Sequence, residues 1–299
     1  MSKGERPGAR TGERTGARGR AAARRAAASR AARRKRILFA GAGTALVAVL
    51  AVVLIVIRPG ASAAPPAGAS TGTPAQNLAV ARAVTSVPAA TFDAVGAGTA
   101  TGLSATSGQP PLTVDGKPEV LYMGGEFCPY CAAERWALTA ALSRFGTFTG
   151  LSLIHSSPTD AYPNTPTLSF HGSRYSSKYV AFTPVEWFGE ADDASSPFGH
   201  VTLENPTAAQ TALFDKYANG SIPFVDLGNQ YLVPQAQFLP SALAGMTWSQ
   251  VATAMRTPSS PVAKDIDGAA NMLTASICKL TNGQPGGVCS SAGVLAAAG

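Results

Sequence analysis

The sequence is poor in metal-binding side chains, with four cysteines and three histidines among 299 residues. A closed structural zinc site normally needs four ligands. Two of the cysteines, Cys278 and Cys289, enclose ten residues and lack the spacing of a metal-binding pair. We therefore expect no metal and no cofactor. Copper binding by Cys128 and Cys131 together with His155, as in a copper chaperone, is kept as an alternative.

Positive charge is concentrated at one end of the chain. Residues 1–36 hold thirteen of the 24 lysines and arginines and only two of the 17 acids, so the remainder is net negative. This basic arm also lacks any aromatic side chain on which bases would stack. We expect no nucleic-acid partner. A disordered topological anchor is a simpler interpretation than binding to anionic lipid.

Charge is absent from residues 37–57, a stretch of 21 mostly apolar residues. As a helix it would measure about 31 Å, which matches a bilayer core of about 30 Å. We predict one transmembrane helix. Basic residues at 33–36 face a lone Arg58 on the other flank, so the positive-inside rule places the arm in the cytoplasm. The predicted location is the cell membrane, single-pass, with the C-terminal domain outside.

Two other interpretations of this segment are open. The small residues at 61–63 fit a signal-peptide cleavage site, and Arg33-Arg34 faintly resembles a twin-arginine export signal. The length of the apolar run favours retention, because signal peptides have shorter apolar regions. Residues 58–76 are rich in Ala, Pro, Gly, Ser and Thr and are predicted to form a flexible linker. Residues 77–299 then suffice for one domain, without internal repeats.

The pattern of apolar residues and turn signals predicts an α/β domain. Residues 156–206 are expected to be irregular apart from one strand. The predicted helices are 78–87, 132–145, 207–218, 247–256 and 261–280. The predicted strands are 118–123, 148–155, 179–182, 221–227 and 230–233, with Gly228-Asn229 as a hairpin turn between the last two.

Cys128-Pro129-Tyr130-Cys131 carries the most specific chemistry in the chain. It follows an apolar strand and opens a predicted helix, which places the two thiols one helical turn apart. The positive end of the helix dipole favours the thiolate of the first cysteine. A thiolate attacks disulfides, and the second cysteine can then displace the bound partner.

These residues carry a family resemblance. The stretch 121–131 resembles the strand, loop and redox helix of the thioredoxin superfamily, and residues 221–226 resemble its cis-proline strand. More closely, residues 125–136 resemble a family of membrane-anchored thioredoxin-like proteins known only as a domain of unknown function. The resemblance extends over most of residues 77–289. It implies an α/β, thioredoxin-like fold with a long insertion at about 156–206, preceded by the transmembrane helix.

The resemblance also implies roles for single residues. Cys128 matches the exposed nucleophile and Cys131 the buried resolving cysteine. Pro223 matches the proline whose cis peptide bond faces the dithiol, with Ile222 offering backbone polar groups to the substrate. One residue departs from the family pattern. Tyr122 occupies the position at which many relatives have a buried acid that accepts the proton of the resolving thiol.

Neighbours of the dithiol are expected to tune it. Pro129 and Tyr130 lie between the two cysteines, and Glu126 is a candidate substitute for the missing acid. Outside the cytoplasm, Cys278 and Cys289 are expected to form a structural disulfide that ties the tail to the last helix. A second redox pair is less favoured, because neither of these cysteines begins a predicted helix.

The expected function is thiol–disulfide exchange on cysteine-containing exported proteins or with a membrane redox partner. The compartment favours an oxidase or isomerase over a reductase, although the dipeptide between the cysteines does not decide the direction. The alternative function, outside the enzymes, is that of a receptor or scaffold on the same fold, in which Cys128 and Cys131 form a structural disulfide.

Overall fold

A computed structural model describes residues 71–196 and 198–298. The chain divides into units 1–64 and 65–299, and all described residues belong to the second. The basic arm, the predicted transmembrane helix 37–57 and most of the predicted linker lie outside the described residues. Within those residues, no single helix is long and apolar enough to cross a membrane, and one bent helix pair, residues 74–95, meets the length and composition criteria together.

Eight α-helices form within the described residues, and proline or threonine begins most of them. Three helices start with the same capping box. The Thr side chain accepts a hydrogen bond from the backbone N–H of a Gln three residues later, and the side chain of that Gln accepts one from the backbone N–H of the Thr. The helices are α1 (Pro74–Thr85), α2 (Ala89–Val95), α3 (Pro129–Leu142), α4 (Ala208–Tyr217), α5 (Trp248–Ala254), α6 (Pro261–Leu280), α7 (Gly286–Cys289) and α8 (Ala292–Ala297), with a short 3₁₀ helix at Pro240–Leu243.

The strands form a mixed central sheet and two small ribbons. The strands are β1 (Ser104–Ala105), β2 (Thr113–Val114), β3 (Lys117–Gly125), β4 (Gly146–Thr149), β5 (Ser152–His155), β6 (Pro166–Ser169), β7 (Arg174–Ser177), β8 (Ala181–Asp192), β9 (His200–Thr202), β10 (Phe224–Leu227) and β11 (Tyr231–Val233). The central sheet has the order β1-β11-β10-β3-β8-β9, with β2 beside β3. Strands β3 and β8 are parallel, whereas β10 is antiparallel to β3.

Two apolar layers cover the central sheet, one on each face. Alternate residues of β3 point to opposite faces, as strand geometry requires. Val120 and Tyr122 pack in the larger core with α3 and α6. Leu121 and Met123 pack in the smaller core with Phe214 of α4. The dithiol helix α3 therefore lies on the face of the larger core.

Several predicted elements are found close to their expected positions. Helix α6 begins at Pro261 and ends at Leu280, as predicted, and the capping box of Thr247 opens α5. The hairpin at Gly228-Asn229 is confirmed, because β10 and β11 pair antiparallel across it. These elements carry strong local signals at their ends, which explains the agreement.

Two predictions about the middle of the chain are wrong. Residues 148–155 do not form one strand, because Gly150 adopts a φ of +76° and separates β4 from β5, which pair with β7 and β6. Residues 156–206 are not mostly irregular, since they contain β6 to β9. Strand β8 is the parallel partner of β3 at the centre of the sheet. The predicted strand at 179–182 covers only the first two residues of β8, because Pro184 argues against a central strand beyond that point.

The predicted linker also ends earlier than expected. Thr71 forms a β-bridge with Ile154, and the backbone of Gly72 donates to Leu153 O at 2.8 Å. Helix α1 then begins at Pro74, capped by Thr73 and Gln76. Residues 71–76 are therefore part of the domain rather than of the tether.

Candidate active site

The dithiol lies where β3 ends and α3 begins. Cys128 is the N-cap residue of α3, with extended backbone, and Pro129 is the first helical residue. Proline suits that position, since its fixed φ fits the helix and its missing N–H would have no helical partner. The Cys128 Sγ accepts a hydrogen bond from the Cys131 backbone N–H at 3.3 Å. The first sulfur thus occupies the position at which a helix N-terminus binds negative charge.

The loop before the dithiol is fixed by neighbouring strands. The Glu126 backbone N–H donates to Phe188 O on β8, and Ser157 N–H donates to Phe127 O, each at 2.7 Å. The Phe127 ring stacks on His200, with centroids 3.9 Å apart. Residues 156–206, which the family resemblance implies are an insertion, therefore hold the loop before the dithiol in place.

The two thiols differ in environment. Both are free in the structure, with Cys128 5% exposed and Cys131 fully buried. Cys128 is thus less exposed than the resemblance implied. Hydrogen bonds from the Cys131 side chain and backbone lower the pKa of Cys128, and the Arg135 charge acts in the same direction, against its burial. Burial raises the pKa of Cys131 well above its ordinary value, and neighbouring Cys128 adds to this. Cys128 is accordingly the better nucleophile.

The Ile222-Pro223 segment lies beside the first sulfur. The peptide bond between these residues is cis, and Pro223 immediately precedes β10. The Cys128 Sγ is 3.9 Å from Ile222 O. Pairing of β10 with β3 in the register Phe224 to Met123 brings this segment to the end of β3 where the dithiol lies. An extended chain bound along residue 222 would therefore pass within reach of Cys128.

A buried ion pair beneath the dithiol was missed by sequence reasoning. Arg135 and Glu186 are both fully buried, with Nε and Nη2 of the guanidinium 2.7 Å from Oε1 and Oε2 of the carboxylate. Arg135 Nη2 also donates to Gly125 O at 2.7 Å. Arg135 is four residues after Cys131, on the same face of α3, and this spacing was an available signal. Glu186 lies on β8, beyond the end of the predicted strand at 179–182.

Tyr122 occupies the place of the expected acid and is fully buried. A Cβ atom at Gly124 would lie 2.1 Å from the Tyr122 hydroxyl oxygen, so only glycine at 124 leaves room for this ring. The ring packs edge-on against Phe170, with centroids 5.2 Å apart. Burial raises the pKa of Tyr122 well above its ordinary value, and therefore the hydroxyl keeps its proton.

The other predicted tuning residues are placed at the rim of the site. Tyr130 is 36% exposed, and its ring stands edge-on to Tyr162 at 5.7 Å between centroids. The Glu126 carboxylate accepts a hydrogen bond from the Ser169 hydroxyl. Burial raises the pKa of Glu126, and the bond from Ser169 opposes this. Glu126 is thus tied to β6 by this hydrogen bond.

The copper alternative gains no support from the geometry. The His155 ring packs against Trp248, with centroids 4.4 Å apart. Across residues 71–196 and 198–298, no group of three or more His, Cys, Asp or Glu side chains is placed to hold a metal ion.

The other two cysteines form a disulfide near the C-terminus. Cys278, in the last turns of α6, is bonded to Cys289 at the end of α7, with Cα atoms 5.6 Å apart. The chain between them turns at Asn282 and Gly283, both with positive φ. This bond joins the tail to the longest helix of the domain.

The structure thus defines an α/β protein with a free dithiol at a helix N-terminus and a cis-proline segment beside it. Residues 105–192 match the family described as "Domain of unknown function (DUF929)". The matched region is less than a third of the chain and includes Cys128, Cys131, Arg135 and Glu186. The chain matches no curated protein and no solved structure.

Proposed function

We propose that this protein is a membrane-anchored, extracytoplasmic thiol–disulfide oxidoreductase on a thioredoxin-like fold. One observation carries the proposal: the Cys128 sulfur caps α3, over a fully buried Cys131 and 3.9 Å from Ile222 O. Nucleophile, resolving thiol and substrate-aligning backbone are the three parts that disulfide exchange requires.

The arrangement of the central strands supports the thioredoxin-like assignment. Strands β11, β10, β3 and β8 are adjacent in that order, with β3 and β8 parallel and β10 antiparallel to β3. The dithiol follows β3, and the cis-proline precedes β10. In this assignment the connection from α3 to β8 is longer than a minimal core needs. It supplies two contacts to the redox loop, from Ser157 N–H to Phe127 O and from the Ser169 hydroxyl to Glu126.

The exchange proceeds in two displacements. The Cys128 thiolate attacks one sulfur of a substrate disulfide, and the other substrate sulfur leaves as a thiolate that takes up a proton. The Cys131 thiol then loses its proton to water, and its thiolate attacks the Cys128 sulfur. This forms the Cys128–Cys131 bond, breaks the mixed disulfide and releases the second substrate sulfur as a thiolate, so that the substrate has gained two electrons and the protein dithiol has lost two. The reverse sequence oxidises a substrate dithiol.

Two features, one near each end of the chain, support the proposed location at the outer side of the membrane. Residues 37–57 have the length and composition of a membrane span, with basic charge on one flank. At the other end the Cys278–Cys289 disulfide is typical of an oxidising compartment. Exported proteins with cysteines, or a membrane redox partner, are the substrates that this location offers.

Trapping tests the proposal in cells that express the full chain. Cys131→Ala leaves a nucleophile without a resolving thiol, and we expect it to accumulate mixed disulfides with exported proteins that a reductant releases. The matched control, Cys128→Ala, should trap none. An absence of adducts with Cys131→Ala would contradict the proposal.

One observation favours the rival scaffold function, namely the small exposed fraction of Cys128. Alkylation after mild reduction separates the two functions. We expect Cys128 to react far faster than Cys131 and with a pKa below the ordinary thiol value of about 8.5. Two equally inert sulfurs would instead indicate a structural bridge. The reduction potential then indicates the direction of exchange, with a value of about −120 mV expected for an oxidase and about −270 mV for a reductase.

A further inference from the structure

Two buried hydrogen-bond donors beneath the dithiol lack a partner. Among the described residues, neither the Tyr122 hydroxyl nor Arg135 Nη1 makes a hydrogen bond, although both side chains are fully buried. Buried polar groups in native proteins are almost always paired, and exceptions call for an explanation. Two exceptions side by side in one site are a stronger signal than either alone.

Both donors are directed to the same end of β3. Because the Tyr122 hydroxyl lies against Gly124, its ring extends along the strand toward the redox loop. The bond from Arg135 to Gly125 O places the guanidinium at that same end, with Cζ 5.8 Å from the centroid of the Tyr122 ring. Arg135 is also one helical turn beyond Cys131.

We propose that Tyr122 and Arg135 form a buried donor pair that holds the negative charge of the Cys131 sulfur while it resolves a mixed disulfide. The inference rests on the proposed function. In this protein no buried carboxylate accepts the proton of Cys131 at the position of Tyr122. Instead, Tyr122 and Arg135 stabilise the Cys131 thiolate electrostatically once it has formed. Arginine has no acceptor atom and cannot lose its proton in a protein, and a protonated tyrosine hydroxyl can donate.

The charges around the site agree with these roles. Burial is the largest influence on the pKa of Cys131 and raises it, whereas the Arg135 charge lowers it. For Cys128 the hydrogen bond from Cys131 lowers the pKa most, and the Arg135 charge acts in the same direction. Glu186 neutralises part of that charge and fixes the orientation of the guanidinium through two hydrogen bonds. Tyr122 and Arg135 are positioning residues here, since Cys131 makes the bond to the reacting sulfur.

The test measures resolution without a physiological substrate. In the full chain, Cys128 is converted to a mixed disulfide with 5-thio-2-nitrobenzoate, and attack by Cys131 releases the coloured thiolate. Tyr122→Phe removes one oxygen and keeps the ring against Phe170. We expect release to slow about tenfold at pH 7 and its pH profile to move upward by about one unit, which corresponds to the same energy.

A control and a second variant separate this role from a structural one. Tyr217→Phe removes another buried, unpartnered hydroxyl, but on α4 at the opposite face of the sheet, and should leave release unchanged. Glu186→Gln removes the charge that opposes Arg135, so release should become faster and begin at lower pH. A merely structural role would not produce a gain.

The outcomes distinguish the inference from the proposed function. If Cys128 of the unmodified protein cannot be converted to the mixed disulfide, the proposed function fails. If conversion and release occur, but Tyr122→Phe and Glu186→Gln keep the rate and pH profile of the unmodified protein, the donor pair is overturned and the oxidoreductase stands.

Discussion

The two cysteine pairs of this domain have opposite designs. Cys128 and Cys131 are free, begin a helix and lie over a buried ion pair. Cys278 and Cys289 are bonded to each other and join the end of α6 to a short helix at the tail. A helix N-terminus stabilises a thiolate, whereas a helix C-terminus does not. Position in a helix therefore distinguishes the free pair from the bonded pair, although both pairs have their cysteines close together.

The largest difference between the pairs should be in activity. Cys128→Ala removes the nucleophile, and we expect the rate of disulfide exchange to fall by at least about a thousandfold. Replacing Cys278 and Cys289 together with alanine should leave the rate within about twofold. Reduction of a model disulfide by the reduced protein measures both. A comparable loss of exchange rate in both variants would contradict the assignment of activity to Cys128 and of a structural role to Cys278 and Cys289.

The second difference should be in stability. Removing the Cys278–Cys289 bond frees a loop of ten residues in the unfolded chain, and the free energy of unfolding should fall by about 2–3 kcal/mol. Denaturant titration of the alanine double variant against the unmodified protein measures this. The matching change at the other pair, Cys128→Ala, should alter stability by a smaller amount. A larger loss from Cys128→Ala would reverse the assignment of roles.

The smallest predicted effect concerns a buried ionisable side chain on the helix that carries each cysteine pair. Arg135 near the dithiol is paired with Glu186, but Asp267 on α6, the helix of Cys278, has no hydrogen-bond partner for either carboxylate oxygen among the described residues. Burial raises the pKa of Asp267 to about 8, with the nearby charge of Arg144 opposing. An unfolded aspartate has a pKa of about 3.9.

The sign of the pH dependence follows from these values. Between pH about 4 and about 8 the folded state keeps a proton that the unfolded state releases. This contribution to stability is therefore fully present below pH about 4 and is lost progressively as the pH rises to about 8. Asp267→Asn should reduce the loss of stability from pH 5 to pH 8 by more than about 1 kcal/mol. Asp215→Asn, an exposed site on α4, is the control. Equal pH dependence in both variants would contradict the assignment to Asp267.

Sequence reasoning succeeded where the signals are local. The helix start at Pro261, the hairpin at Gly228 and the dithiol at a helix N-terminus are each encoded within a few residues. Pro223 was identified through a family resemblance, and the structure places its cis bond beside Cys128.

Sequence reasoning failed where an interaction joins distant parts of the chain. Strand β8 contains Pro184 and the buried charge of Glu186, and both features argue against a central strand when viewed locally. The strand is stable at that place because Arg135, 51 residues earlier, compensates the charge. No periodicity in either segment reveals this pair, and therefore the centre of the sheet and the charge beneath the dithiol were missed together.

The distance between Arg135 and Glu186 along the chain has a consequence for when the surroundings of the two thiols are complete. During synthesis, the Cys128-Pro129-Tyr130-Cys131 stretch emerges before β8, and Arg135 has no carboxylate to orient it until β8 pairs with β3. A nascent or unfolded chain therefore carries ordinary thiols. Only the folded domain buries Cys131 and places its backbone N–H against the Cys128 sulfur, so the pKa values of the two thiols move apart only once the domain has folded.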